Sequence, residues 1–192
     1  MRISGGRARG IPLVVPRGDA VRPATDGLRQ AVFSSLAARV AGAHFWDLFA
    51  GSGAYGLEAL SRGAVSGLFV EQDRRAAECL RKNLAAVTRS LGREGAAAVS
   101  VIEADVQQAG WMLGPKSGPA PDLIFVDPPY AVIGELAPAL FKKLGDAVGS
   151  GADGLVVFEM PGDMELTVEG WECVKRLGRG TRQPTAAIYR RS

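Results

Sequence analysis

Apolar and polar positions along this chain change period several times, and each change marks an element. Leu28, Val32, Leu36 and Val40 recur at helical spacing, which predicts one helix in DGLRQAVFSSLAARV with Thr25 or Asp26 as its N-cap. From residue 44 onward, short apolar runs alternate with amphipathic stretches. HFWDLFA, VSGLFVEQD, AAVSVIEAD, DLIFVDPPY and DGLVVFEMP read as strands. Between them AYGLEALSRG (closed by Gly63), RRAAECLRKNLAAVTRSL, the short VQQAGWML and GELAPALFKKLGDAV read as helices, with Pro138 in a first turn or at a kink. Apolar strands joined by helical crossovers imply a parallel sheet covered on both faces. WECVKRLGR and TAAIYRR are separated only by a turn and predict an antiparallel hairpin at one edge. The expected class is therefore α/β, with a mostly parallel seven-stranded sheet. The first sixteen residues alternate apolar pairs with GG and RG, which predicts a small hairpin. Residues 1–40 thus form an N-terminal hairpin and helix extension, and 41–192 the sheet domain.

Composition narrows this picture. The chain has 192 residues, 47% of them hydrophobic, enough for one domain with a full core. No apolar stretch reaches the roughly 18 residues of a membrane span, and the start lacks a signal-peptide core, so a cytoplasmic protein is expected. Two cysteines, Cys79 and Cys173, and one histidine, His44, support neither a disulfide framework nor a metal site. His44, just ahead of a strand, reads as structural.

Net charge is only +3, but it is unevenly spread. Residues 1–39 carry seven arginines against Asp19 and Asp26, and residues 172–192 carry six basic groups against Glu172. The middle is acidic. Basic ends dominated by arginine, whose planar fork binds phosphate bidentately, point to a polyanionic partner touched by the termini.

DLFAGSGAYG places Gly51, Gly53 and Gly56 in G-x-G-x-x-G spacing between a strand and a helix. That is the setting of a nucleotide-binding loop, in which glycines permit close backbone approach and a helix N-terminus presents free N–H groups. Glu71 ends the next strand, where a carboxylate can accept both hydroxyls of a ribose. Asp105 ends the third and could accept from an adenine amine. With Asp47 these acids converge on an adenosine-like ligand at the carboxyl ends of the strands. A dinucleotide such as NAD and S-adenosylmethionine both fit. Asp47, four residues before Gly51, favours the sulfonium and amino group of S-adenosylmethionine. Hydride-transfer machinery is also absent: His44 precedes the first strand and no Tyr-x-x-x-Lys occurs.

Asp127-Pro128-Pro129-Tyr130 follows the apolar run LIFV, at the point where strand order should reverse. Consecutive prolines fix φ and keep their carbonyls out of the ladder, so the Asp127 carboxylate and the Pro128 carbonyl can act as paired acceptors. An exocyclic amine of a nucleobase offers two donors to such a pair. Tyr130 could then stack on the base. Catalysis would rest on positioning, with Asp127 accepting the amine proton or steadying its charge.

DLFAGSG with DPPY resembles class I S-adenosylmethionine-dependent methyltransferases, which have a Rossmann-like sheet. MRISGGRARGIPLVVP, RPATDGLRQAVFSSL, DLFAGSGAYGLEALSRGA, VEQDRRAAECLRKNL and DPPY together are similar, over roughly residues 1 to 160, to the bacterial RsmD-like small-subunit ribosomal RNA guanine-N2 methyltransferases. The resemblance implies that Asp47 through Gly53, including Phe49, Ala50, Gly51 and Ser52, wrap the methionine part of the cofactor. It places Glu71 and Gln72 at the ribose, and Asp105 and Val106 at the adenine. Asp127, Pro128, Pro129 and Tyr130 would hold the target guanine. Arg2, Arg7, Arg9 and Arg17 would lie against RNA phosphates. Arg22, Thr25, Asp26 and Arg29 belong to a segment that closes over the site, with Arg22 and Arg29 also toward RNA. Two departures stand out: the family's Tyr-Gly before the last strand is replaced by RGTRQPTAAIYRR, and Gly27 stands where members carry Arg.

The expected substrate is ribosomal RNA, within the small subunit or an assembly intermediate, for a protein with no metal, no membrane partner and a monomeric default. Two alternatives remain at this level. One is a DNA adenine-N6 methyltransferase, although such enzymes usually add a target-recognition domain for which this chain has too few residues. The other is a catalytically idle RNA-binding protein on the same fold.

Overall fold

The five apolar runs expected as parallel strands form β1 (His44–Leu48), β2 (Ser66–Glu71), β3 (Ala98–Glu103), β4 (Leu123–Val126) and β5 (Leu155–Pro161). They are followed by β6 (Trp171–Leu177) and β7 (Pro184–Arg191). The computed structural model describes residues 1–16, 26–92, 98–108, 110, 119–148, 153–178, 180 and 183–192. One seven-stranded sheet has the order β3-β2-β1-β4-β5-β7-β6. β1 to β5 pair in parallel, and β7 runs antiparallel to both β5 and β6. The hairpin is thus at the edge, with its second strand inserted inside the first. Composition explains which strand is outermost: Ala186, Ala187, Ile188 and Tyr189 of β7 are buried, whereas the middle of β6 is exposed.

The helices are α1 (Asp26–Ser35), α2 (Ala37–Val40), α3 (Ala54–Ser61), α4 (Arg74–Leu91) and α5 (Ile133–Val148), with a one-turn 3-10 helix at Tyr130–Val132. The single helix expected after residue 26 is broken at Leu36, whose backbone (φ −90°, ψ 0°) leaves the helical region. Pro138 lies in the second turn of α5 rather than the first. Of the expected short helix after Asp105, Val106 to Gln108 form a turn, and the remainder lies outside the described residues apart from Gly110.

Strand alternation divides the core in two. Phe45, Phe69, Phe125 and Val157 face one side, with Phe33 of α1, Tyr55 and Leu57 of α3 and Leu80 of α4. Trp46, Leu48, Val70, Val126, Val156 and Phe158 face the other, against Leu136, Leu140, Phe141 and Leu144 of α5. Burying a large apolar side chain contributes about 1.5–3 kcal/mol, so these two layers supply most of the driving force. Close packing on the first face depends on Gly56: a Cβ there would lie 2.4 Å from the Phe69 ring and 2.5 Å from Phe45.

Residues 1–16 form a minimal antiparallel contact, Arg2 against Pro12, tied by Ile3 N–H to the Ile11 carbonyl (2.9 Å) and Leu13 N–H to the Met1 carbonyl (3.1 Å). Ile3, Ala8 and Leu13 are buried in the same core layer as α1 and α3. No helix among the described residues is long and apolar enough to cross a membrane.

Candidate functional site at the strand carboxyl ends

The order reverses between β1 and β4, and a crevice outside the strand carboxyl ends is expected at such a point. Alternation also places side chains two residues apart on one face. Asp47 follows Phe45, Glu71 follows Phe69, Asp127 follows Phe125 and Glu159 follows Val157. All four acids therefore lie on the face that carries α3 and the N-terminal segment.

The glycine loop is built around two of them. Gly51 (φ +54°) and Gly53 (φ +85°) occupy the left-handed region that favours glycine, and so does Phe49 (φ +57°), a costly conformation for a side chain with a Cβ. Glu71 holds the loop: its Oε2 accepts from Gly51 N–H and its Oε1 from Asp73 N–H, each at 2.7 Å. Asp47, 2% exposed, accepts from Gly56 N–H at 2.8 Å and so fixes the first turn of α3. Burial pushes the Asp47 carboxyl up to about 8; the Gly56 N–H opposes this and the nearby Glu71 charge adds to it. Ser52 and Gly53 are buried, and Ala50 N–H bonds the Val70 carbonyl at 3.1 Å. A Cβ on Gly51 would meet nothing within 4 Å, so the loop backbone opens there to space that a ligand could fill.

Beyond the loop, Asp105 accepts from Gln107 N–H at 2.9 Å, and Val106 is buried against the α5 side of the sheet. Gln72 is exposed. Asp127 sits directly after β4, with its N–H toward the Leu48 carbonyl (3.4 Å), so the DPPY turn borders the glycine loop. Pro128 is buried, while Pro129 and Tyr130 are exposed, Tyr130 at 39%. No described residue donates a hydrogen bond to the Asp127 carboxylate. Its carboxyl is held well above the usual range by loss of water, then by the charges of Glu159 and Asp47.

Two residues of this region, Glu159 and Asn83, carried no signal in the motifs. Glu159, 2% exposed, accepts from the Tyr55 hydroxyl at 2.8 Å. Its carboxyl is pushed up to about 7 by burial, with the Tyr55 bond and the Arg29 charge pulling it down. Asn83 of α4 donates to the Ser52 carbonyl (2.9 Å) and the Val14 carbonyl (2.8 Å) and accepts from Val14 N–H (2.8 Å). It therefore clamps the glycine loop and the N-terminal segment to one helix.

The arginines divide. Arg2 and Arg9 are exposed, as is Arg7, whose guanidinium also bonds the Leu91 carbonyl at 3.1 Å. Arg17 and Arg22, and Thr25 beside them, lie outside the described residues. Arg29 corrects the expectation of an RNA contact, because its side chain is wholly buried. It bonds Asp26 at 2.9 Å, the Arg2 carbonyl, and Glu58 at 3.4 Å. Glu58 in turn accepts from Ser4 N–H and Oγ, both at 2.7 Å, and from Arg62 at 2.8 Å. Arg29 thus anchors the N-terminal segment from within. His44 is structural, bonding Asp122 through its N–H (2.8 Å) and Ser66 through its ring at the opposite end of β1. Cys79 and Cys173 are free thiols, and no cluster of three or more potential metal ligands occurs among the described residues.

Known proteins resemble this chain in sequence and in fold. Residues 1–188 match the family model described as conserved hypothetical protein 95. The Escherichia coli protein named ribosomal RNA small subunit methyltransferase D is 39% identical over 130 residues, 68% of this chain; the match spans 60% of that protein's length. Its Haemophilus influenzae namesake is 31% identical over 94% of this chain and 89% of its own. The solved structure of Escherichia coli yhhF superposes with a TM-score of 0.78 at 32% identity, covering 100% of this chain and 97% of that one. With its seven-stranded sheet, its glycine loop and its DPPY turn, this chain belongs to the conserved hypothetical protein 95 family, the RsmD-like proteins.

Proposed function

We propose that this protein transfers a methyl group from S-adenosylmethionine to the exocyclic N2 amine of a guanine in small-subunit (16S) ribosomal RNA. The observation that carries the reading is Asp127: a carboxylate at the switch point of the sheet, beside the glycine loop, with no donor among the described residues. The names of the relatives support the ribosomal substrate.

The donor set suits the cofactor. The backbone at Gly51 opens to unfilled space, the N-terminus of α3 lies beside it, and Glu71 and Asp105 end the neighbouring strands. Gly51 to Gly53 would hold the methionine part, Glu71 with Gln72 the ribose, and Asp105 with Val106 the adenine. When bound, S-adenosylmethionine supplies a methyl group on a positive sulfonium.

The chain's own residues do the rest. The Asp127 carboxylate and the Pro128 carbonyl accept the two N–H bonds of the target amine, which turns the nitrogen lone pair away from them. Tyr130, exposed at the mouth, stacks on the extruded base. Asp127 takes the proton that the amine loses on methylation; its raised affinity for protons suits it to that task. Arg2, Arg7 and Arg9, together with Arg17 and Arg22, bind RNA phosphates and orient the substrate.

The test offers labelled S-adenosylmethionine with small ribosomal subunits lacking the modification, naked ribosomal RNA and duplex DNA. Label in the subunit RNA, lost in Asp127→Ala with RNA affinity unchanged, is expected. Label in DNA, or equal labelling by Asp127→Ala, would contradict the proposal.

A further inference from the structure

Glu159 stands beside Asp127 and takes no part in the chemistry just described. The register that pairs Val126 with Phe158 carries on to set Asp127 and Glu159 side by side, at the ends of adjacent parallel strands. Strands lie about 4.8 Å apart in a sheet, and both side chains project to the Tyr55 face, so the two carboxyl groups share one small volume. Glu159 is 2% exposed, and the Tyr55 hydroxyl bonds only its Oε2. No described residue donates to Oε1. The charge of Arg29 acts on Glu159, and the buried Nη1 of Arg29 has no hydrogen-bond partner.

An ionised carboxyl offers about four acceptor positions, of which Tyr55 fills one; among the described residues Arg29 Nη1 is the fully enclosed side-chain atom without a partner, so Oε1 keeps some open surface through which a ligand can reach it. A helix-to-strand brace for Tyr55 would need only a neutral acceptor such as glutamine. Two acids at adjacent strand ends also raise each other's cost, which argues that their pairing answers to something they bind.

The chemistry of the bases says what that is. Guanine presents two neighbouring donors on its Watson–Crick edge, N1–H and the N2 amine. Adenine presents an amine next to a lone pair at N1, and cytosine an amine next to a lone pair at N3. A carboxylate facing such a lone pair is repelled. We infer that Glu159 accepts the N1–H of guanine while Asp127 holds the N2 amine, so that the two acids together select guanine. The inference rests on the guanine-N2 reading of the site and deepens it. Tyr55 fixes the orientation of Glu159 and leaves Oε1 for the base. Because both donors of the edge are then engaged, the target guanine must be unpaired when it is methylated.

2-Aminopurine tests the contact: it keeps the amine of guanine but has a lone pair at N1 and no O6, so the Glu159 variant is needed to assign the preference to N1–H. The target guanine, located with the wild-type enzyme, is replaced by 2-aminopurine in ligated ribosomal RNA assembled into small subunits, and kcat/KM is measured on both substrates. Wild-type protein should prefer guanine by at least about 10-fold, in line with the value of one lost directed contact. Glu159→Gln, whose amide turns its NH2 toward the base while still accepting from Tyr55, should lose most of that preference. Tyr55→Phe, which removes the bond that orients Glu159 but keeps its carboxylate, should retain more of the preference than Glu159→Gln.

Equal wild-type rates on the two bases would overturn the inference, and need no variant to fold. So would a Glu159→Gln protein slowed equally on both, or a preference lost as fully in Tyr55→Phe. Wild-type label on an acceptor other than guanine would instead defeat the guanine-N2 reading, and this inference with it.

Discussion

Removing the Glu58 carboxylate should be among the most damaging single changes outside the crevice. Glu58 has no exposed side-chain surface, and neither does Arg29, its partner at 3.4 Å. In Glu58→Ala the Arg29 cation would keep the Arg2 carbonyl and Asp26, whose side chain is 44% exposed and therefore solvent-screened. Ser4 would lose the acceptor of both its N–H and its hydroxyl. Breaking a buried ion pair by deleting one member costs about 3–5 kcal/mol, chiefly because the other charge is left uncompensated. For a chain of this size each kcal/mol lowers Tm by about 2–4 °C, so a fall on the order of 10 °C is expected. Urea denaturation followed by circular dichroism measures the change, and limited proteolysis within residues 1–16 reports release of the N-terminal segment. Adding Arg29→Met to Glu58→Ala should recover stability, since an apolar replacement removes the stranded charge. A loss below about 1 kcal/mol, or no recovery in the double variant, would refute the assignment of this network as the buried anchor.

Other consequences follow from the same structure. Gly51→Ala adds a methyl group into open space at φ +54°, so it should cost only about 1–2 kcal/mol of strain yet weaken S-adenosylmethionine binding in calorimetry; Gly53→Ala, whose Cβ would lie 2.2 Å from a Leu80 methyl, should destabilise the fold further. Asn83→Ala strands the Ser52 carbonyl and both backbone groups of Val14, and should cost about 2–3 kcal/mol while speeding proteolytic cleavage near Val14. The Glu159 carboxyl rises from 4.5 to about 7 on folding, so the folded state binds the extra proton between those values and stability falls as pH rises through them. The stability gained by Glu159→Gln over wild type should therefore grow by about 3 kcal/mol between pH 4.5 and 8, read from parallel urea titrations; a difference independent of pH would contradict the buried, repelled carboxylate.

Elements whose evidence is local were legible in the sequence. The short apolar runs became strands, and the glycine loop and DPPY landed on either side of the switch point, because strand–turn–helix chemistry is written in consecutive residues. What could not be read depends on distant partners. Glu159 meets Tyr55 across 104 positions of chain, and Asn83 meets Val14 across 69. Glu159 and Arg29 had faint signals: Glu159 is an acid inside an otherwise apolar strand, and Arg29 falls at the spacing of Val32, Phe33 and Leu36, on the buried stripe of its helix. The family resemblance points Arg29 toward RNA, whereas its spacing from Val32, Phe33 and Leu36 points it into the core, where it lies. The position of β7 between β5 and β6 was likewise a matter of which hairpin strand carries the apolar centre, AAIY rather than ECVKR.

Asp127 and the proline turn at the end of β4 are proposed to hold a guanine amine for methylation. This is tested most directly by digesting small-subunit RNA to nucleosides after reaction with S-adenosylmethionine and identifying the methylated product by mass. N2-methylguanosine is expected with the wild-type protein and none with Asp127→Ala, while that variant binds the subunit as before. Any other methylated nucleoside, or N2-methylguanosine made equally well without the Asp127 carboxylate, would contradict it.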